Sequence, residues 1–177
     1  IPIGARIPKK LKPYAKYAYY GLRALFGGPR GLNRFRYLMS VGKTEHINFV
    51  PPVLIVTINS TCNLRCPNCF YVLIDGKHAF EGGAMIKVDD FKAIIDKYGD
   101  KVDMVWLTGG EALAHPRLDQ LANIVKSKSK SISLRTSTNG VFIDRKIDVL
   151  KSFDHINVSM DGYDYESFKK YRAGTAK

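Results

Sequence analysis

The chain has 177 residues, 45% of them apolar and 25% charged, a composition that fits one folded domain with a sizeable core and excludes a disordered chain. Its longest nearly apolar run, Phe49 to Ile58, contains Pro51 and Pro52 and is about half the ~20 residues a membrane-spanning helix needs. The net charge of +12 is uneven: residues 1–45 hold ten Lys and Arg against one acid, Glu45, which excludes a uniformly basic nucleic-acid-binding domain.

Taken in chain order, Pro13 to Phe26 reads as a helix, with Tyr14, Tyr17, Ala18, Gly21, Leu22 and Leu25 on one face and Gly27–Gly28–Pro29 as its stop. Composition changes near Pro51–Pro52 from basic and aromatic to β-branched, which divides the chain into a basic N-terminal segment, 1–50, and a main body, 51–177. Val53–Asn59 is a continuous apolar run of strand length, expected to be buried on both faces. Val88–Tyr98 carries Phe91, Ile94, Ile95 and Tyr98 at helical spacing. Val102–Leu107 reads as a second strand and Arg117–Val125 as a helix; Ser131–Thr136 is a third strand and Asp144–Phe153 a helix. Ile156–Met160 is a fourth strand, and Tyr165–Tyr171 opens a fourth helix. Strand followed by helix, repeated, predicts an α/β fold with a parallel sheet.

The strand ends carry the unusual residues: Ser60–Phe70 with the cysteines, Thr108–Glu111, Ser137–Gly140, and Asp161–Gly162. In parallel α/β folds the loops at the C-terminal strand ends converge, so one site is expected there. All three cysteines fall in Cys62-Asn-Leu-Arg-Cys66-Pro-Asn-Cys69, a CxxxCxxC loop. So few, and so closely spaced, they exclude a disulfide scaffold and point to a reducing compartment. A closed zinc site wants four ligands, and the fourth would have to be His46, His78, His115 or His155, none at ordinary spacing. Iron–sulfur clusters are commonly held by four cysteines; three leave one iron open to another ligand.

CxxxCxxC after the first strand, followed by Gly109-Gly110-Glu111 after the second, resembles the radical S-adenosylmethionine (radical SAM) superfamily. The resemblance covers roughly residues 51–177 and implies a partial (βα)6 TIM-like barrel, with about four βα units present. It implies that Cys62, Cys66 and Cys69 hold a 4Fe–4S cluster whose open iron takes the amino and carboxylate groups of SAM. Gly109 and Gly110 would pass close to the SAM amine, Glu111 would pair with it, Ser159 in Asn157-Val-Ser-Met-Asp-Gly162 would bond the ribose or carboxylate, and Arg172 would reach the carboxylate. Ser137 and Asn139 stand at the third strand end, where Thr-Asn-Gly reads equally well as a turn. The family's chemistry is reductive cleavage of SAM to a 5′-deoxyadenosyl radical that takes hydrogen from a substrate, fed by an external one-electron donor of flavodoxin or ferredoxin type. The Ser-Thr-Asn-Gly and Asn-Val-Ser-Met-Asp-Gly segments are most similar to the branch with SPASM-type peptide maturases and the molybdenum-cofactor GTP cyclase. Two positions depart from the family pattern: Asn68 stands where an aromatic is frequent, and Ala112 where proline usually follows the acid.

The expected setting is the cytoplasm, with no nucleic-acid partner and the substrate, peptide or small molecule, left open. The start at Ile1 and the end inside or just past a fourth helix lead to the expectation of an N-terminal fragment of a longer enzyme. A rival reading is a non-catalytic iron–sulfur or zinc-binding protein on the same barrel. For residues 1–45, the basic, tyrosine-rich helix either packs on the barrel or makes weak contact with a membrane surface.

Overall fold

The computed structural model describes residues 26–40, 49–67, 69 and 83–172, together with 18, 21 and 22. The helix expected over Pro13 to Phe26 lies almost wholly outside these residues. A helix that the sequence reading missed begins at the Gly-Gly-Pro stop itself: α1, Gly28–Ser40. Gly28 takes a left-handed φ of 58°, which breaks the chain direction, and Pro29 then suits a first helical turn, where its missing N–H costs nothing.

Four βα repeats follow. They are β1 Val53–Asn59, α2 Val88–Tyr98, β2 Met104–Gly109, α3 Leu118–Lys128, β3 Ser133–Thr138, α4 Ile143–Leu150, β4 His155–Val158 and α5 Tyr165–Arg172. A short 3-10 turn, Ala112–Ala114, sits between β2 and α3. The strands are all parallel and lie in the order β1-β2-β3-β4, so each strand neighbours its successor in the chain. This is the α/β arrangement of a partial TIM-like barrel whose sheet is not closed.

The core lies between one face of this sheet and the helices. Ile58, Val105, Leu107 and Leu134 from the strands meet Phe91 and Ile95 of α2 and Leu118, Leu121, Ala122 and Val125 of α3, all fully buried. Each large side chain removed from water there contributes about 1.5–3 kcal/mol. Asp89 and Asp90 open α2 and Lys97 closes it, matching the helix dipole.

Three expectations need correction. First, β1 is not buried on both faces: Val53 is 40% and Ile55 58% exposed, because the helices cover only one face of the sheet. Second, β2 and β3 begin and end two residues later than the apolar pattern indicates, since the ladder runs on through polar residues. Gly109 pairs with Asn59, and Ser137 and Thr138 pair with Asn157 and Val158. Third, β4 stops at Val158, and Met160, counted in the strand by its apolar side chain, is 72% exposed beyond it.

Helix α1 closes the other end of the sheet. Asn33, buried, donates through Nδ2 to the carbonyls of Val50 (2.7 Å) and Lys101 (2.8 Å) and accepts the Val50 N–H through Oδ1 at 2.8 Å. Arg34 pairs with Asp103 at 2.7 Å. No helix among the described residues is long and apolar enough to cross a membrane.

Candidate functional site

The C-terminal ends of the four strands surround a cavity of about 660 Å³. Cys62, Leu64, Cys66 and Cys69 supply one wall, Thr108 to Glu111 a second, Ser137 to Asn139 a third, and Ser159, Asp161, Tyr171 and Arg172 the fourth. Every residue that the family resemblance assigns to the cluster or to SAM, together with Ser137 and Asn139, lies in one of these walls. The strand-end rule places most of them there: the walls are the stretches at and after the ends of β1, β2, β3 and β4, joined by Tyr171 and Arg172 from α5.

Glu111 is the hub of the site and is 2% exposed. Oε1 accepts the Leu113 N–H at 3.0 Å and the Thr138 hydroxyl at 2.7 Å, and Oε2 accepts the Asn139 N–H at 2.7 Å. A carboxylate offers about four lone-pair positions, so one remains on Oε2 for a further donor. The backbone of the same residue is fixed too: its N–H donates to Thr61 O at 2.8 Å and its carbonyl accepts Asn59 Nδ2 at 2.9 Å. The acid therefore ties the ends of β1, β2 and β3 together.

The two glycines before it are demanded by packing. A Cβ on Gly109 would fall 2.3 Å from Asn59 Oδ1 and 2.5 Å from Asn59 O. A Cβ on Gly110 would fall 2.6 Å from Thr61 O and 3.1 Å from the Cys62 Cβ. Only glycine lets β2 run this close beneath the root of the cysteine loop.

The loop is held from across the sheet. Asn139 Nδ2 donates to Asn63 Oδ1 at 2.8 Å and approaches Cys62 Sγ at 3.9 Å, while the Leu64 N–H points at the same sulfur from 3.4 Å. Burial pushes the Cys62 thiol pKa up, the Leu64 N–H opposes that, and Glu111, Cys66 and Cys69 add to the rise. A coordinated metal overrides this balance, because a ligating thiol is deprotonated outright. Cys62, Cys66 and Cys69 are all half-buried and free of disulfides. Among the described residues no three His, Cys, Asp or Glu side chains gather as they would around a single ion; the thiols border the cavity instead.

His115 does not supply a fourth ligand. It is 2% exposed, its Nε2–H faces Ile86 O at 3.3 Å, and its Nδ1 accepts the Arg117 N–H at 3.2 Å, so both ring nitrogens are used. Burial lowers its pKa, in keeping with a neutral ring. His155 opens β4, at the opposite end of the strand from the cavity. His46 and His78 lie outside the described residues. Three thiols on one loop with glycine backbone opposite, and among the described residues no histidine in the cavity walls, form a donor set that suits a cluster with one iron left for another ligand.

Arg172, from α5, pairs with Asp161 at 2.5 Å. Burial lowers its pKa, but Asp161, with a contribution from Cys66, outweighs that and leaves it raised. Thr138, Asp161 and Tyr171 are wall residues that sequence reasoning did not assign. Thr138 had a usable signal, since it continues a strand into the segment already marked.

The sequence profile of the radical SAM superfamily matches residues 56–177. The chain belongs to the radical SAM superfamily. A GTP 3′,8-cyclase of Chlorobaculum tepidum is 32% identical over 115 residues, covering 64% of this chain and 34% of the relative. A probable GTP 3′,8-cyclase of Methanococcus maripaludis is 31% identical over 125 residues, covering 67% of this chain and 39% of the relative. Among solved structures, Streptococcus suis SuiB bound to the precursor peptide SuiA superposes with a TM-score of 0.58 at 19% identity, covering 80% of this chain and 31% of that one. That similarity shows the fold. The chain spans about a third of the length of each of these proteins. Radical SAM membership implies a 4Fe–4S cluster and the use of SAM.

Proposed function

We propose that residues 51–177 form the cofactor-binding part of a radical SAM enzyme, with residues 1–50 as a basic segment beside it. Cys62, Cys66 and Cys69 hold the 4Fe–4S cluster, and Gly109, Gly110, Glu111, Ser159 and Arg172 bind SAM. The observation that carries this reading is the convergence of the cysteine loop and these residues on one cavity of about 660 Å³. When bound, cluster and SAM supply the reductive cleavage that yields a 5′-deoxyadenosyl radical, which takes a hydrogen atom from the substrate.

The chain's own part is to bind and orient. The free lone pair on Glu111 Oε2 is placed for an ammonium, because the other positions are filled by donors from β3 and the turn after β2. Ser159 is fixed by its N–H to Thr138 O at 2.8 Å, which leaves its hydroxyl for the ligand. Arg172 offers a cation on the wall formed by α5. The electron comes from an external flavodoxin- or ferredoxin-like donor, and free thiols with a labile cluster support a cytoplasmic setting. The substrate is a small molecule or a peptide; the named relatives include a cyclase of GTP and a protein bound to a precursor peptide.

Anaerobic reconstitution with iron and sulfide tests the reading. The expected product is brown and carries about four irons, and Ala at Cys62, Cys66 or Cys69 abolishes the colour. Colourless protein with one equivalent of zinc, or a full cluster in a variant lacking all three cysteines, would overturn it in favour of a non-catalytic metal protein or another cluster site.

A further inference from the structure

The sheet has two faces, and the helices cover one. Leu134 and Thr136 of β3 are wholly buried, so the two-residue period of a strand directs Arg135 and Ser137 to the other face. In register, Arg135 stands between Trp106 of β2 and His155 of β4, and Trp106 stands beside the exposed Ile55 of β1. The four strands contain no Asp or Glu at all. Arg135 and His155 are therefore the charged and titratable groups that the strands place on this face.

Contacts join this face to the cavity. The Arg135 guanidinium lies over the Trp106 ring, 5.5 Å from its centre. The Trp106 indole N–H donates to Ser137 Oγ at 3.1 Å, and Ser137 is part of the cavity wall. Arg135 Nε is buried and bonded to nothing, and among the described residues no carboxylate pairs with the guanidinium. A cation held against an aromatic ring with an unused buried donor is a group lacking its acceptor. The guanidinium fork matches the oxygens of a phosphate or carboxylate.

We propose that Arg135, stacked on Trp106, forms a subsite for an oxyanion group of the substrate on the open face of the sheet, beside the cysteine-lined cavity. Trp106 holds the guanidinium flat and Ser137 fixes the indole, so an anion bound there has the rest of its molecule directed past Ser137 toward the cavity. Calling the occupant the substrate rests on the radical SAM reading; the anion site does not.

Trp106 is the only tryptophan in the sequence, so its fluorescence reads the site directly. The full chain is titrated with inorganic pyrophosphate and, separately, with succinate, at ionic strength held constant with potassium chloride. A saturable change in emission with one or both is expected. It should vanish in Trp106→Phe and weaken by roughly tenfold or more in Arg135→Gln, which removes the charge and the fork together. A response to pyrophosphate alone assigns a phosphate-bearing substrate, and one to succinate alone a carboxylate-bearing substrate. No change beyond that of chloride, or a response that survives unaltered in Arg135→Gln, overturns the proposal. Should Arg135→Gln lose its circular dichroism, Arg135→Lys is read by the same criterion, since it keeps the charge and loses the fork. The readout uses neither cluster nor SAM, so its failure leaves the radical SAM reading intact, and a failed reconstitution leaves the anion site intact.

Discussion

Under the proposed function Glu111 has two duties that a single substitution cannot separate unless the shape is kept. Replacing it with Ala strands the Leu113 and Asn139 N–H groups and the Thr138 hydroxyl in a buried site, at about 1–3 kcal/mol for each donor left unpaired. Glu111→Ala is therefore expected to lower the urea midpoint as well as SAM affinity, whereas Glu111→Gln keeps most of the hydrogen bonds and loses mainly the charge seen by an ammonium. Calorimetry with SAM on reconstituted protein, paired with urea unfolding, separates the two. Gly110→Ala pushes a methyl against the Thr61 carbonyl and should cost about 1–3 kcal/mol by overpacking while displacing Cys62; a midpoint equal to that of the unsubstituted chain would show that the loop gives way freely. At this scale the sequence makes the candidate residues that share the cavity visible by type and position. It does not reveal why they are needed, because Glu111 finds its partners 27 and 28 residues later in the chain.

Among the elements, α1 and the turn after β2 act as fasteners. Asn33→Ala removes bonds to Val50 and Lys101 at once and leaves the Val50 N–H unpaired, so a loss of about 1–3 kcal/mol is expected, read as a lower denaturant midpoint. His115 makes a pH prediction. Its folded pKa is lowered by burial, so below the ordinary imidazole value near ~6.5 the unfolded chain takes up the proton first. Stability should thus fall as pH drops through about 6.5 and below, and His115→Gln should flatten that part of the profile in urea unfolding followed across pH. The order of strands and helices was legible because their periods differ and both are local; β1 and α2 match their predicted limits residue for residue. The one-sided cover of β1 was not, since an apolar run reads the same whether one face or both are covered. Nor was α1, where Gly and Pro signal a stop and a start with the same letters.

For the molecule as a whole, the open sheet sets behaviour in solution. Val53 and Ile55 on one edge strand and Ile156 and Val158 on the other are each at least 40% exposed. The 177-residue chain on its own is expected to self-associate through these edges, with a sedimentation coefficient that rises with concentration, and Ile55→Lys with Val158→Thr should suppress the rise. Strand order carries a further consequence, for synthesis. Because β1, β2, β3 and β4 are neighbours in the order in which they leave the ribosome, the sheet can assemble as the chain emerges, without waiting for a distant partner. The cysteine loop emerges right after β1, yet the amide that holds it belongs to Asn139, 77 residues after Cys62. The thiols are thus made early and fastened late, and the nascent chain leaves them open to metal ions and to stray oxidants for the whole of that interval.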